Sequence, residues 1–282
     1  MIVPGSTSQS LAAALAARRD EPLADVSYDR HPDGELLAAV PGFDADRAVV
    51  VVATTTAEAH VELLQLQDAV REAGATDVTT VLPYMGYARQ DAAFEPGQPV
   101  SARAVARAVS AGTDRVAVVT PHEPAVADFF DVPCTVVDAA PRLAAPLPDD
   151  LADPLFLAPD AGAVDLAATV RDAYGRGGAD HFEKTRHSGT EVTVEPSDAP
   201  VAGRDVVLVD DIVATGSTMS EAVAALGADA DRAFVACVHP VLARDARTKL
   251  ARAGVAAIHA TDTVERPAST VSAAPAVADA LE

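Results

Sequence analysis

Residues 206–219 read VVLVDDIVATGSTM: four apolar residues, two adjacent acids, a short loop of Thr, Gly and Ser, and the start of an Ala-rich stretch. An apolar strand buried on both faces and followed by a helix is the repeating unit of parallel α/β sheets. The turn between them would gather the backbone N–H groups of Ala214, Thr215, Gly216, Ser217 and Thr218 near a helix N-terminus, where the dipole favours an anion. Gly216 permits a tight turn and close backbone approach. The hydroxyls of Thr215, Ser217 and Thr218 can add hydrogen bonds. Asp210 and Asp211 would emerge at the carboxyl end of the strand, where open α/β sheets bind ligands. Carboxylates only accept hydrogen bonds, so they suit hydroxyls better than phosphate. A Ser/Thr/Gly turn by itself would be an ordinary helix start with a hydroxyl cap.

Outward from that stretch the same alternation repeats. Val-rich runs predict strands at 48–53, 78–82, 115–119, 134–137, 155–157, 206–209, 233–238 and 256–259. Apolar residues at three- and four-residue spacing predict helices at 8–18, 58–72, 101–110, 164–174, 218–226 and 246–253. The halves echo each other. AVVVVATTT leads to a helix and then GATDVTTVLP; DVVLVDDIVATGST leads to a helix and then GADADRAFVACVHP. A second echo pairs DVPCTVVDA with GVAAIHATD. The expectation is a duplicated strand–loop–helix–strand unit, joined in the Pro-rich stretch 140–154 and dividing the chain into 1–140 and 141–282.

Composition narrows the function. With 49% hydrophobic residues but 4% aromatic and no Trp, the cores are expected to be Val, Ala and Leu. No apolar run approaches the roughly 18 residues of a membrane span, and no signal layout opens the chain, so a cytoplasmic, membrane-free protein is expected. A formal charge of −21 argues against a nucleic-acid partner. It is the solvation strategy of salt-adapted proteins. Of the 21 basic residues 19 are Arg, and the lysines are Lys184 and Lys249. A lysine kept under such scarcity points to a task Arg cannot do. Lys184 lies in HFEKTRHSGTEV; Lys249 lies in a helical stretch and reads as a surface residue. Cys134 and Cys237 fall in strand-like runs and read as buried free thiols.

Two first-half stretches remain: RHPDGE at 30–35, and PYMGYARQDAAFEPGQPVSAR at 83–103. Arg89 can pair with a triphosphate, while Asp33 and Glu35 can accept from an adenine amino group or ribose hydroxyls. Each alone could be a solvated turn. In this order, ahead of VVLVDDIVATGST, they resemble the ribose-phosphate pyrophosphokinase family. Its marks are an Asp-Gly-Glu turn, a PYxxYARQD loop followed by PxSAR, a metal-binding His, a Lys-x-Arg, and a loop for the 5-phosphate. The resemblance runs from Pro4-Gly5-Ser6 to VSAAPAVADAL near the C-terminus. Phosphoribosyltransferases, which consume phosphoribosyl pyrophosphate (PRPP), lack the first two marks. A non-catalytic PRPP sensor would be expected to lose Lys184 or Arg186, and both are present.

The resemblance implies two tandem phosphoribosyltransferase-like α/β domains, the first for ATP and the second for ribose 5-phosphate. It places ATP at Asp33, Gly34, Glu35, Arg89 and Gln90, and Mg²⁺ at His122 and Asp160. It gives catalysis to Lys184 and Arg186, on a mobile loop or β-hairpin. Ribose 5-phosphate falls to Arg186, Asp210, Asp211, Ala214, Thr215, Gly216, Ser217 and Thr218. A dimer-based homo-oligomer using apolar first-half surface is also implied. The chain departs from the family pattern at His31, where Phe is usual, at Thr120-Pro121 and Glu123-Pro124 around His122, and at Ala214 and Ser217.

Overall fold

The computed structural model describes residues 1–186, 192–196, 200–227 and 229–282, with backbone only for 183–186 and 192–196. Two compact units divide the chain: Met1–Ala139 with Asp262–Glu265 and Ser272–Glu282, and Ala140–Thr261 with Arg266–Val271.

The first unit runs β1 (Ile2–Pro4), α1 (Gln9–Arg19), β2 (Ser27–Arg30), β3 (Leu36–Ala39), β4 (Arg47–Val51), α2 (Ala57–Glu72), β5 (Asp77–Leu82), α3 (Ser101–Ser110), β6 (Arg115–Val119) and β7 (Cys134–Val137). Its parallel sheet has the order β1-β4-β5-β6-β7, and β2 and β3 form a separate antiparallel hairpin. The Val run that predicts β4 is buried throughout, as a strand covered on both faces requires. Helix α2 starts where the Thr56 hydroxyl accepts the Ala59 N–H at 3.1 Å. Leu63, Leu66 and Val70, at helical spacing, are fully buried in a cluster with Val50, Val52 and Val78. Such burial contributes about 1.5–3 kcal/mol per side chain.

The second unit runs β8 (Leu155–Ala158), α4 (Val164–Tyr174), β9 (Gly178–Arg186), β10 (Val192–Pro196), β11 (Asp205–Ile212), α5 (Ser217–Leu226), β12 (Arg232–His239), α6 (Ala246–Arg252), β13 (Ala257–Thr261) and β14 (Ser269–Val271). Its sheet order is β10-β9-β8-β11-β12-β13-β14, parallel except where β10 pairs with β9. Helix α7 (Ala274–Ala280) returns to the first unit, where Arg19 donates to the Ala278 carbonyl at 3.2 Å and the Asp262 carboxylate accepts the Ala273 N–H at 2.8 Å.

The two sheets repeat one topology. β1-β4-β5-β6-β7 and β8-β11-β12-β13-β14 have the same chain order, each with a hairpin between its first and second strands. The first sequence echo pairs β4 with β11 and β5 with β12, which are topological equivalents. The second pairs β7 with β13, whose equivalent is β6, so that echo is a coincidence of Val- and Ala-rich composition. Cys237 is buried and free in β12, whereas Cys134, at the start of β7, is only half-buried.

Candidate functional site

In the second unit, β11 carries its apolar run into the core and leaves Asp210 and Asp211 at its carboxyl end, both partly exposed. The Asp210 carboxylate accepts the Asp211 N–H at 2.9 Å, and the Asp211 carboxylate accepts the Ile212 N–H at 2.8 Å. Burial, then the neighbouring Asp211 charge, pushes the Asp210 carboxyl up to about 8, and Asp160 adds to the same field. Asp160 follows β8, the strand beside β11, and accepts the Gly162 N–H at 3.1 Å. Three carboxylates thus share one sheet end, where the charges of Asp211 and Asp160 add to burial in raising Asp210.

The loop that follows is built as the sequence reading expected. Gly216 has φ +71°, and α5 begins at Ser217. Val213 is buried beneath the loop. The Leu242 N–H donates to the Val213 carbonyl and the Ala243 N–H to the Ala214 carbonyl, each at 2.9 Å, so the turn is braced from outside itself. Thr215 and Thr218 are exposed, and Ser217 is half-buried with its hydroxyl 3.3 Å from that of Thr215. Exposed N–H groups and hydroxyls at a helix N-terminus are chemistry suited to an anion. Lys249 corrects the sequence reading: it is half-buried against this loop rather than a surface residue.

Lys184 and Arg186 lie on β9, opposite Val194 and Val192 of β10, so a hairpin is the structure at this place. Their side chains, and residues 187–191 between the strands, fall outside the described residues.

In the first unit, Asp33, Gly34 and Glu35 form the exposed tip of the β2–β3 hairpin, with φ +94° at Gly34. Arg30 steadies the tip by donating to the Gly34 carbonyl at 2.9 Å and pairing with Glu58 at 2.9 Å. His31 is exposed beside it. Arg89 and Gln90 lie between β5 and α3, with Arg89 exposed and the Gln90 amide oxygen accepting from the Ser101 hydroxyl at 2.7 Å. This loop is clamped by Thr54, a residue the sequence reading passed over. The Thr54 N–H donates to the Tyr84 carbonyl at 2.9 Å, and its hydroxyl accepts the Gly86 N–H at 2.9 Å. Tyr87, at φ +64°, packs its ring 5.5 Å from that of His60. His122 is exposed just past the carboxyl end of β6. It belongs to the first unit and Asp160 to the second.

The first unit's counterpart of the phosphate loop joins β4 to α2, and its chemistry differs. It borders a cavity of about 590 Å³ lined by Ser6, Thr56, Glu58 and Glu62 among others. Glu62 is buried and accepts from the Ser6 N–H at 2.6 Å and the Ser6 hydroxyl at 2.5 Å. Glu58 and Glu62 at this place would oppose a phosphate there, unlike the amides and hydroxyls of the second unit's loop.

Comparisons with known proteins match a different family model to each part of the chain. A family model described as the N-terminal domain of ribose phosphate pyrophosphokinase matches residues 1–112, and one described as a phosphoribosyl transferase domain matches residues 136–268. A ribose-phosphate pyrophosphokinase of Halobacterium salinarum is 67% identical over 282 residues, covering the whole of both chains. One from Methanopyrus kandleri is 44% identical over 288 residues, covering this chain entirely and 98% of its own. The crystal structure of phosphoribosylpyrophosphate synthetase from Mycobacterium smegmatis aligns with a TM-score of 0.83 at 28% identity, covering 100% of this chain and 97% of that one.

Proposed function

The chain belongs to the ribose phosphate pyrophosphokinase family, and we propose that it transfers the β,γ-diphosphoryl group of ATP to C1 of ribose 5-phosphate, giving PRPP and AMP for nucleotide biosynthesis. The observation that carries this reading is the second unit's anion loop, with Gly216 in the left-handed region, set directly after the paired acids Asp210 and Asp211. Phosphate on the loop and ribose hydroxyls on the carboxylates account for both features at once.

In this reading Ala214, Thr215, Gly216, Ser217 and Thr218 hold the 5-phosphate, and Asp210 and Asp211 orient the ribose. The C1 hydroxyl then attacks the β-phosphorus of ATP and gives up its proton to solvent, and AMP leaves with the electron pair of the broken P–O bond. Asp33, Gly34, Glu35, Arg89 and Gln90 of the first unit serve ATP. Lys184 and Arg186 neutralise the charge that moves onto the leaving phosphate, a type of contact whose loss commonly costs ~10²–10³ in rate. Catalysis of this kind is mostly positioning and charge neutralisation.

Mg²⁺ is the implied metal. The donors fit it in kind, since Asp160, Asp210 and Asp211 offer hard oxygens at one sheet end. Among the described residues no three acidic, His or Cys side chains converge as a cage. Mg²⁺ would therefore be held by one or two carboxylates, with His122 as the family's further position, and by substrate oxygens. When bound, it supplies neutralisation of phosphate charge.

No helix among the described residues is long and apolar enough to cross a membrane. We place the protein in the cytoplasm as a dimer-based homo-oligomer. In support, the large apolar side chains exposed among the described residues, Leu37, Val61 and Leu64 included, all belong to the first unit. A monomer mass by light scattering in concentrated salt would remove that part of the reading.

The activity test is direct. Protein, Mg-ATP and ribose 5-phosphate mixed in concentrated KCl should yield equal amounts of AMP and PRPP. Lys184→Ala should bind ATP nearly as the wild type does and turn over ~10²–10³ more slowly. Absence of AMP at every salt concentration would refute the activity; wild-type turnover in the variant would refute the role of Lys184.

A further inference from the structure

Helix α6 backs the phosphate loop. Its first residue, Ala246, lies so near that a Cβ on Gly216 would stand 3.3 Å from the Ala246 carbonyl oxygen. Three residues on, and so on the same face of the helix, Lys249 reaches the loop itself. Its Nζ donates to the Thr215 carbonyl at 3.2 Å and to the Ser217 hydroxyl at 3.0 Å. Two of the three ammonium donors are thus spent on atoms that flank Gly216. Holding a long, flexible side chain in this place costs rotamer entropy, which a purely solvated lysine does not lose.

Charge explains what the arrangement accomplishes. A phosphate monoester carries about −1.5 to −2 near neutral pH. The loop's own donors are neutral amides and hydroxyls, a helix N-terminus is worth roughly +0.5, and the Asp210–Asp211 pair beside it is negative. The described groups bonded within the loop therefore fall short of balancing a bound phosphate unless a cation joins them, and Lys249 is the cation bonded there. The composition agrees: 19 of 21 basic residues are Arg, yet this position keeps a lysine. A compact ammonium on a slim stem can sit between two oxygens, where the wide planar fork of a guanidinium would need more room.

We propose that Lys249 is a binding residue for the 5-phosphate of ribose 5-phosphate, a role that rests on the loop being the 5-phosphate site. The test compares Lys249→Met, Lys249→Arg and Gly216→Val with the wild type at one fixed salt concentration. Gly216→Val puts a branched side chain at φ +71° against α6 and so breaks the loop itself. Ribose 5-phosphate binding is measured by calorimetry, with inorganic phosphate as competitor, KM for each substrate, and a thermal melt for each variant. In Lys249→Met the affinity for ribose 5-phosphate should fall roughly tenfold or more, as expected for a lost charge-assisted hydrogen bond. Competition by inorganic phosphate should weaken in the same proportion, KM for ATP should stay within about twofold, and Lys249→Arg should recover part of the loss. A brace with no ligand contact would lower the melt without weakening phosphate competition. Ribose 5-phosphate affinity within about twofold of wild type in Lys249→Met, with binding lost in Gly216→Val, overturns the role of Lys249 and spares the loop. Unchanged binding in Gly216→Val, or none in the wild type, overturns both.

Discussion

Asp210 shows at the scale of one residue how a site is carried at the expense of stability. Burial and the Asp211 charge raise its carboxyl to about 8 in the folded protein, against about 3.9 in an unfolded chain. A raised folded pKa means the native state binds the proton more tightly than the unfolded state does. Between about pH 4 and pH 8 the folded protein holds more proton at this group, so its contribution makes stability fall as pH rises across that window. Asp210→Asn keeps the shape and the oxygen that accepts the Asp211 N–H while removing the titration. The variant should be more stable than wild type by more than about 1 kcal/mol at pH 8.5, the worth of one pKa unit. The gain should shrink toward pH 4, and ribose 5-phosphate turnover should be lost throughout. Thermal melts across pH test this, and a gain that does not vary with pH would contradict it. The paired acids themselves were legible in the sequence, because two charges ending a four-residue apolar run have no packing role. Their mutual burial was not legible, since it depends on how β8 and β12 flank the strand.

At the scale of elements, what showed in the sequence was what burial imposes on it. The Val runs and the Leu63–Leu66–Val70 spacing report a covered face, and α3 and α4 end where the periodicity does. Elements with little or no buried side to report were hidden. β2 is exposed at all four positions, so no alternation marks it, and the sequence shows only the turn of its hairpin. α7 is seven residues of mostly small side chains, with Asp279 alone to contrast with its buried side. Lys249 was misjudged for a related reason: helical spacing tells which face a residue occupies, but not which loop a neighbouring strand brings against it. The β5–α3 connection combines both lessons. Its ARQD residues stand out by charge, yet Gly86, which lets the backbone pass the Thr54 carbonyl, looks like any loop glycine. A Cβ at Gly86 would lie inside van der Waals contact of the Thr54 carbonyl oxygen and 2.9 Å from the His60 Nε2. Gly86→Ala should therefore displace the loop, costing roughly 1–3 kcal/mol in overpacking strain. KM for ATP should rise several-fold while ribose 5-phosphate binding is retained. An unshifted KM for ATP in a folded variant would show that Thr54 and Gly86 do not position Arg89.

For the whole molecule, the decisive quantity is a formal charge of −21 from 42 acidic and 21 basic residues. Self-repulsion of this size opposes compaction. The ion pairs within each unit, such as Arg71–Asp114 at 2.6 Å and Arg232–Asp205 at 2.6 Å, offset only the acids they touch. The remainder must be screened by dissolved ions. The Debye length falls from about 10 Å at 0.1 M salt to about 3 Å at 1 M. Screening is then nearly complete, and further gain can come only from salt acting on hydration and apolar burial. The thermal midpoint should thus climb steeply between 0.05 M and 1 M KCl, by about 10 °C or more, and rise more gently beyond. Replacing KCl by an uncharged osmolyte of equal osmolality should reproduce the gentle part and not the steep one. Scanning calorimetry over both series separates the two contributions. A midpoint indifferent to KCl below 1 M would mean that the acidic surface is already neutralised within the fold, by pairing between subunits or by tightly held cations, rather than by the bulk salt.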